Sequence, residues 1–323
     1  MEASRQGERA GADWPALARR LVPSLVLVLL VGGSALRAPG VVSPGALADF
    51  LVDAAPLVML VVGGTLPVLA GSIDLSVAGV ASLAGVLVVV LDPFFGAWTA
   101  PVTLVLAALF GALQGFLHAW LQIPSFIVTL GTLSMLSGLS LLLSNATAEP
   151  IPDTDAVVAY LGGTTGGLPN GVLVLVAVLV LLGLALRFLR FGRDLFALGT
   201  GERAAMMSGV GTVAVRTAIF AVSAACAALG GLFLVAITTF SSPTLAGNLL
   251  LLSIVGIVIG GTAISGGVGG LLPAVVGGLI TAWLRVVTVL VGVTPTAQNI
   301  VFGLMALVAV ALTTDRGKLG VIK

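Results

Sequence analysis

The chain has 323 residues, of which 59% are hydrophobic and only 8% charged, with a mean hydropathy of +1.22. Soluble domains carry about 25% charged residues, so a water-facing globule of this composition would be coated in apolar side chains, and lipid is the expected solvent. A formal net charge of +1 with no basic face outside one loop argues against nucleic acid as a partner, and the single cysteine, Cys226, leaves no disulfide framework or cysteine-built metal site.

The first twenty residues are polar and hold Arg5, Arg9, Arg19 and Arg20; an apolar run opens at residue 21. A signal peptide shares that order, but nine more apolar spans follow without a convincing small-residue cleavage site, so the first span is read as uncleaved. Crossing about 30 Å of hydrocarbon takes roughly 17–25 helical residues. Windows of that kind fall at 18–36, 47–70, 75–92, 98–121, 124–143, 170–189, 215–238, 248–265, 270–292 and 297–314. The predicted fold class is an all-α polytopic membrane protein of about ten transmembrane helices. Its membrane domain covers 21–314, between an N-terminal tail (1–20) and a C-terminal tail (315–323).

Lysine and arginine set the orientation of such a bundle. With the N-terminus inside, alternation places Arg5, Arg9, Arg19, Arg20, Arg187, Arg190, Arg193, Arg203, Arg216, Arg316, Lys318 and Lys323 in the cytoplasm. That is twelve of the fourteen basic residues, leaving Arg37 outside and Arg285 within span nine, placed to snorkel or to pair. Both termini are therefore expected on the cytoplasmic side. Two loops are long: 144–169, external, with Glu149, Asp153 and Asp155 and no basic residue, and 190–214, internal and basic.

Glycine numbers 43, close to double an average share of about 7%. Gly111 and Gly115, Gly256 and Gly260, and Gly266 and Gly270 have the small-xxx-small spacing that lets helix backbones approach closely. Gly63-Gly64, Gly260-Gly261 and Gly266-Gly267 are alternative points of unwinding. Gly63-Gly64-Thr65 and Gly260-Gly261-Thr262 hint at an internal repeat of spans two to five and seven to ten.

Gly71-Ser72-Ile73-Asp74-Leu75-Ser76 sets a carboxylate into an apolar stretch, since 54–73 and 75–91 carry no formal charge. A carboxylate at the centre of a membrane helix costs about 2.5–3.5 kcal/mol on insertion scales. Asp74 must lie at a helix break, face a wet or protein-lined cavity, or carry a proton. Two compatible roles stay open for it: a cap for span three, accepting from orphan amides and complementing the helix dipole, or a polar group on a substrate path. Thr65, Ser76, Thr129, Thr132 and Ser134, polar residues within apolar spans, complete the candidate substrate path with Asp74.

In the internal loop, Glu202 to Met207 reads as a short helix closed by Gly209, either an interfacial helix held by basic residues or a docking helix for a cytoplasmic partner. Gly199, Gly201 and Ala204 fit dinucleotide-fingerprint spacing, but no strand–helix–strand unit surrounds them. His118, without a second ionisable residue near it in sequence, reads as an interfacial or packing histidine and Cys226 as a small packing residue. No Walker A pattern, HExxH, nucleophile elbow or His/Cys cluster occurs. The chain is expected to be no enzyme and to hold no nucleotide site of its own.

Taken together these residues resemble the membrane permeases of bacterial sugar ABC importers of the ribose, xylose and arabinose class. Gly71-Ser72-Ile73-Asp74-Leu75-Ser76-Val77-Ala78 is similar to that family's Gly-Gly-Ile-Asp-Leu-Ser-Val-Gly, departing at Ser72 and Ala78. Pro124-Ser125-Phe126-Ile127-Val128-Thr129-Leu130-Gly131-Thr132 resembles its Pro-Ser/Pro-Phe-Ile-x-Thr-Leu-Gly-Thr. The stretch from Gly199 to Val210 resembles its cytoplasmic coupling segment, with Gly201 where an asparagine is usual. Val258-Ile259-Gly260-Gly261-Thr262 followed by Gly266-Gly267 resembles its Ile-Gly-Gly-Thr and glycine-rich turn.

The resemblance covers about 45–316. It implies a type II ABC importer permease fold, a homodimer of permeases in the bacterial inner membrane, a cytoplasmic ABC ATPase that carries ATP and Mg, and an extracytoplasmic solute-binding protein. It places Gly199, Glu202, Ala204, Ala205, Ser208 and Gly209 at the ATPase coupling segment. The function expected is translocation of a small polar solute, a monosaccharide first. Branched-chain amino acids or nucleosides are the alternative cargo, and an ion-coupled secondary transporter the alternative class.

Overall fold

The computed structural model describes residues 14–151, 155–294, 297–298, 300–305 and 307. Arg5, Arg9, Asp153, Arg316, Lys318, Lys323, the tail 315–323 and half of the expected span 297–314 lie outside the described residues. The chain forms α1 (Trp14–Arg37), α2 (Pro44–Leu69), α3 (Val77–Phe95), α4 (Thr99–Leu121), α5 (Ser125–Leu143), α6 (Ala156–Gly162), α7 (Asn170–Phe188), α8 (Arg190–Thr200), α9 (Glu202–Met207), α10 (Thr212–Thr238), α11 (Leu249–Ile259) and α12 (Leu271–Leu290). Four two-residue strands make two small antiparallel pairs: β1 (Glu149–Pro150) with β4 (Phe240–Ser241), and β2 (Thr164–Thr165) with β3 (Leu168–Pro169).

Among the described residues, helices occur at nine of the expected spans, and the described residues 300–305 of the tenth are helical as well. Six stretches among the described residues are long and apolar enough to cross a membrane, one of them containing both α3 and α4. α2 is central. Ser43 starts it by accepting from Ala46 N–H at 3.3 Å, with Pro44 at its first position, and every residue from Ala54 to Leu69 is buried. A helix apolar on all faces has to be enclosed on all faces, and α3, α7, α10, α11 and α12 surround this one.

α10 is the second pillar, held against α4 by glycine. A Cβ on Gly111 would stand 2.3 Å from Phe220 O, and one on Gly115 2.7 Å from Arg216 O. Gly256 and Gly260 likewise pack on α12, where Gly277 and Pro273 meet them. Gly266 and Gly270 do not form such a pair, because 260–270 is a turn between α11 and α12. Gly63 is a close-packing site against Cys226 and Ser223, and α2 runs unbroken past it to Leu69. Arg285 on α12 is near enough to Asp53 of α2 to act on it electrostatically.

Span eight differs from expectation. α11 has 11 residues, which at about 1.5 Å per residue spans roughly half a bilayer core. Ahead of it, 239–248 is non-helical chain that includes β4 and is anchored where Ala246 N–H donates to Ser82 Oγ at 2.9 Å. Within this passage Ser241, Pro243 and Ala246 are buried, whereas Thr239, Phe240, Thr244, Gly247 and Asn248 are exposed.

The two helix ends that resemble each other are not the pair the hinted repeat would match. α2 ends with Gly71 N–H on Val68 O and Ser72 N–H on Pro67 O; α11 ends with Gly261 N–H on Val258 O and Thr262 N–H on Ile257 O. Gly71 (φ +73°) and Gly261 (φ +83°) both adopt the left-handed conformation that such a helix stop requires. The matching triplets are thus Ala70-Gly71-Ser72 and Gly260-Gly261-Thr262, and not the Gly63-Gly64-Thr65 stretch. β1 and β4 meet at the end of α10 opposite α8 and α9, so the two long loops lie at opposite ends of the bundle.

Candidate functional site

Between α2 and α3 the chain runs non-helically from Gly71 to Ser76, and this break carries Asp74. The carboxylate is 6% exposed. Its Oδ1 accepts from Ser76 N–H (2.9 Å), from Ser76 Oγ (2.6 Å) and at longer range from Gln114 Nε2 (3.4 Å), and its Oδ2 accepts from Ser223 Oγ (2.8 Å). Asp74 stands two residues ahead of Ser76, the N-cap position of α3, and no side chain caps that helix. The capping reading is corrected accordingly: the carboxylate fixes the turn before the helix and lies near the positive end of the α3 dipole without closing its first amides.

The same carboxylate gathers four elements. Gln114 on α4 donates to Ser76 Oγ (3.1 Å) and accepts from Thr132 Oγ1 of α5 (2.5 Å) through its carbonyl oxygen. Ser125 Oγ accepts from Ile73 N–H (2.9 Å), and Thr129 Oγ1 donates to Ile73 O (3.3 Å), so α5 holds the break from its other side. Ser223 joins α10. Below the carboxylate, His118 bonds through Nδ1 to Ile123 O (2.6 Å) and through Nε2 to Ser72 Oγ (3.2 Å), with its ring edge-on to Phe220. Nδ1 must donate to the carbonyl, which leaves Nε2 to accept from the Ser72 hydroxyl.

Of the residues assigned to a substrate path, Asp74, Ser76, Thr129 and Thr132 come together in this network. Thr65 and Ser134 do not: each hydroxyl donates to its own helix, to Val61 O (2.6 Å) and Leu130 O (3.2 Å). Gln114, Ser223, Ser72 and Ser125 are the members that sequence reasoning missed. Gln114 carried a signal, as a side-chain amide on the Gly111, Gly115 and His118 side of an apolar span. A cavity of about 40 Å³ adjoins Asp74, with Gly64, Val77, Ser253 and Ile257 in its wall. A space of this size admits water.

The stretch expected to couple to an ATPase lies across two helices, α8 and α9, which are separated at Gly201. α9 covers Glu202–Met207 as the sequence predicts, and Gly209 (φ +81°) ends it. α8 precedes it and buries Leu195 and Leu198 against Leu66, Leu69 and Phe220. Glu202 pairs with Arg216 of α10 at 3.0 Å. Ala205 is 2% exposed and turned into the protein, whereas Ala204, Ser208 and Gly209 are on the open side with Met206 and Met207. Gly199 packs internally, against Leu69 O and Gly267 N.

A bundle of apolar helices interrupted at its centre by a buried carboxylate network defines a multi-pass helical membrane protein of the permease class. The profile of the family described as "Branched-chain amino acid transport system / permease component" matches residues 46–310, and the chain belongs to that family. It is 34% identical over 242 residues to the L-arabinose transport system permease of Escherichia coli, covering 74% of each chain. It is 30% identical to a probable ABC transporter permease of Sinorhizobium fredii, over 88% of this chain and 86% of that one. It is 28% identical to the ribose import permease of Haemophilus influenzae, over 88% and 90%. No solved structure matches.

Proposed function

We propose that this chain is the membrane-spanning half of an ATP-driven importer of monosaccharides, working as a homodimer in the bacterial inner membrane with both termini cytoplasmic. A cytoplasmic ABC ATPase would carry ATP and Mg, and an extracytoplasmic binding protein would deliver the solute. The likeness to permeases named for arabinose, ribose and D-allose is the observation that carries the cargo class. On this reading ATP binding on the partner displaces α8 and α9, the bundle alternates between inward- and outward-open states, and Asp74, Ser76, Thr129 and Thr132 border the path. A ligand shifts such an equilibrium only through differential affinity for its states, so the path need not hold sugar tightly.

The experiment is uptake of labelled ribose, arabinose and allose into vesicles containing the permease, with and without its co-expressed ATPase. Uptake that needs the ATPase and survives an ionophore supports the proposal; uptake without any ATPase overturns it in favour of an ion-coupled carrier. The family description names branched-chain amino acids, so labelled leucine belongs in the same assay. Saturable leucine uptake without sugar uptake would reassign the cargo.

A further inference from the structure

The turn ending α2 and the turn ending α11 are bridged by a third backbone, the last turn of α8. Gly267 N–H donates to Leu69 O at 2.9 Å. A Cβ built on Gly199 would stand 1.9 Å from Leu69 O and 2.6 Å from Gly267 N. From the facing side, a Cβ on Gly266 would stand 2.8 Å from Gly71 N and 3.0 Å from Gly199 O. Three chain segments therefore meet backbone on backbone. Side chains can yield by changing rotamer, but amides and carbonyls at these separations cannot.

On one side of this junction the chain runs from Leu69 to Asp74, pinned on the way by Ser72 N–H on Pro67 O, by Ser72 on His118 and by Ile73 on Ser125 and Thr129. On the other side α8 passes through Gly201 into α9, where Met206 is 53% and Met207 89% exposed. We infer that Gly199 is a positioning residue for transport, joining α8, the end of α2 and the 260–270 turn into one rigid body. A push on α9 then moves both helix breaks, and the Asp74 network, in step. This rests on the ATP-driven reading above and adds that the second break moves with the first. It assigns Gly199 to transmission inside the permease and not to the ATPase contact.

The test compares Gly199→Ala with Gly138→Ala in the full transporter reconstituted with its ATPase and binding protein. Gly138 of α5 faces open space, where an added Cβ meets nothing within 4 Å, so Gly138→Ala should match wild type. Gly199→Ala should still co-purify with the ATPase and hydrolyse ATP, while solute moved per ATP falls about tenfold, within the roughly 5–150-fold range of inter-site couplings. An unchanged ratio overturns the inference, and loss of ATPase binding overturns it by making Gly199 a docking residue. If Gly199→Ala does not accumulate, hydrogen exchange at the Gly267 amide of the wild-type transporter decides. Protection kept with and without a non-hydrolysable ATP analogue supports a rigid junction; protection lost in either state refutes it. Wild-type uptake that ignores the ATPase would instead strike the functional reading itself.

Discussion

The Ser223 hydroxyl donates to Oδ2 of Asp74 across 2.8 Å, joining residues 149 apart in sequence and closing the carboxylate network onto α10. Ser223 is itself fully buried. Ser223→Ala strips this donor from Oδ2, and a buried polar group left unsatisfied costs about 1–3 kcal/mol. We expect a lower midpoint of thermal unfolding in detergent; an unchanged midpoint would show that the contact contributes nothing.

Asp74→Asn should preserve the fold, because an amide oxygen can keep the Ser76 bonds while the Ser223 hydroxyl turns to accept from the amide nitrogen. Asp74→Ala leaves Ser76, Gln114 and Ser223 without their acceptor and should accumulate poorly. We expect the Asn variant, at matched membrane abundance, to lose much of its uptake. Full uptake by that variant would reduce Asp74 to a structural residue.

Gln114 is the link from Asp74 and Ser76 to α5, through Thr132. Gln114→Leu keeps a similar volume and removes the link, so the inner half of α5 should exchange its amide hydrogens faster while α2 stays protected. Equal exchange in the two proteins would show that α5 is held by packing alone.

The two alanines of α9 should behave oppositely. Ala205 is buried, so Ala205→Trp overpacks the interior, at a cost of about 1–3 kcal/mol or more, and should lower the yield of folded protein. Ala204 is on the open side, so Ala204→Trp should fold normally and lose co-purification with the partner ATPase. Normal ATPase recovery by Ala204→Trp would remove α9 from the docking surface.

Gly111→Ala drives a methyl into Phe220 O, whereas Gly138→Ala enters open space. The first should destabilise by about 1–3 kcal/mol. The second should stay within about 0.5 kcal/mol of wild type, as unfolding in detergent would record.

Much of this protein was legible locally. Apolar runs between charges located nine helices among the described residues, because hydropathy and chain length are properties of a segment and its solvent. The charge cost of Asp74 announced a break, and the Gly209 stop delimited α9. What the sequence left open were matters of which faces meet. Ala204 and Ala205 are identical as letters, and only the docking of α9 on the bundle separates an open methyl from a buried one. The passage before α11, Thr239 to Asn248, is rich in Ser, Thr, Pro and Gly, which disfavour a helix; that Ser82 of α3 anchors it at Ala246 only the packed structure shows. Asp74 was visible as a problem, but its solution came from Ser223 and Gln114 on other helices. A carboxylate is stabilised by whichever donors the packed structure brings within about 3 Å, and those contacts form only when distant segments of the chain converge.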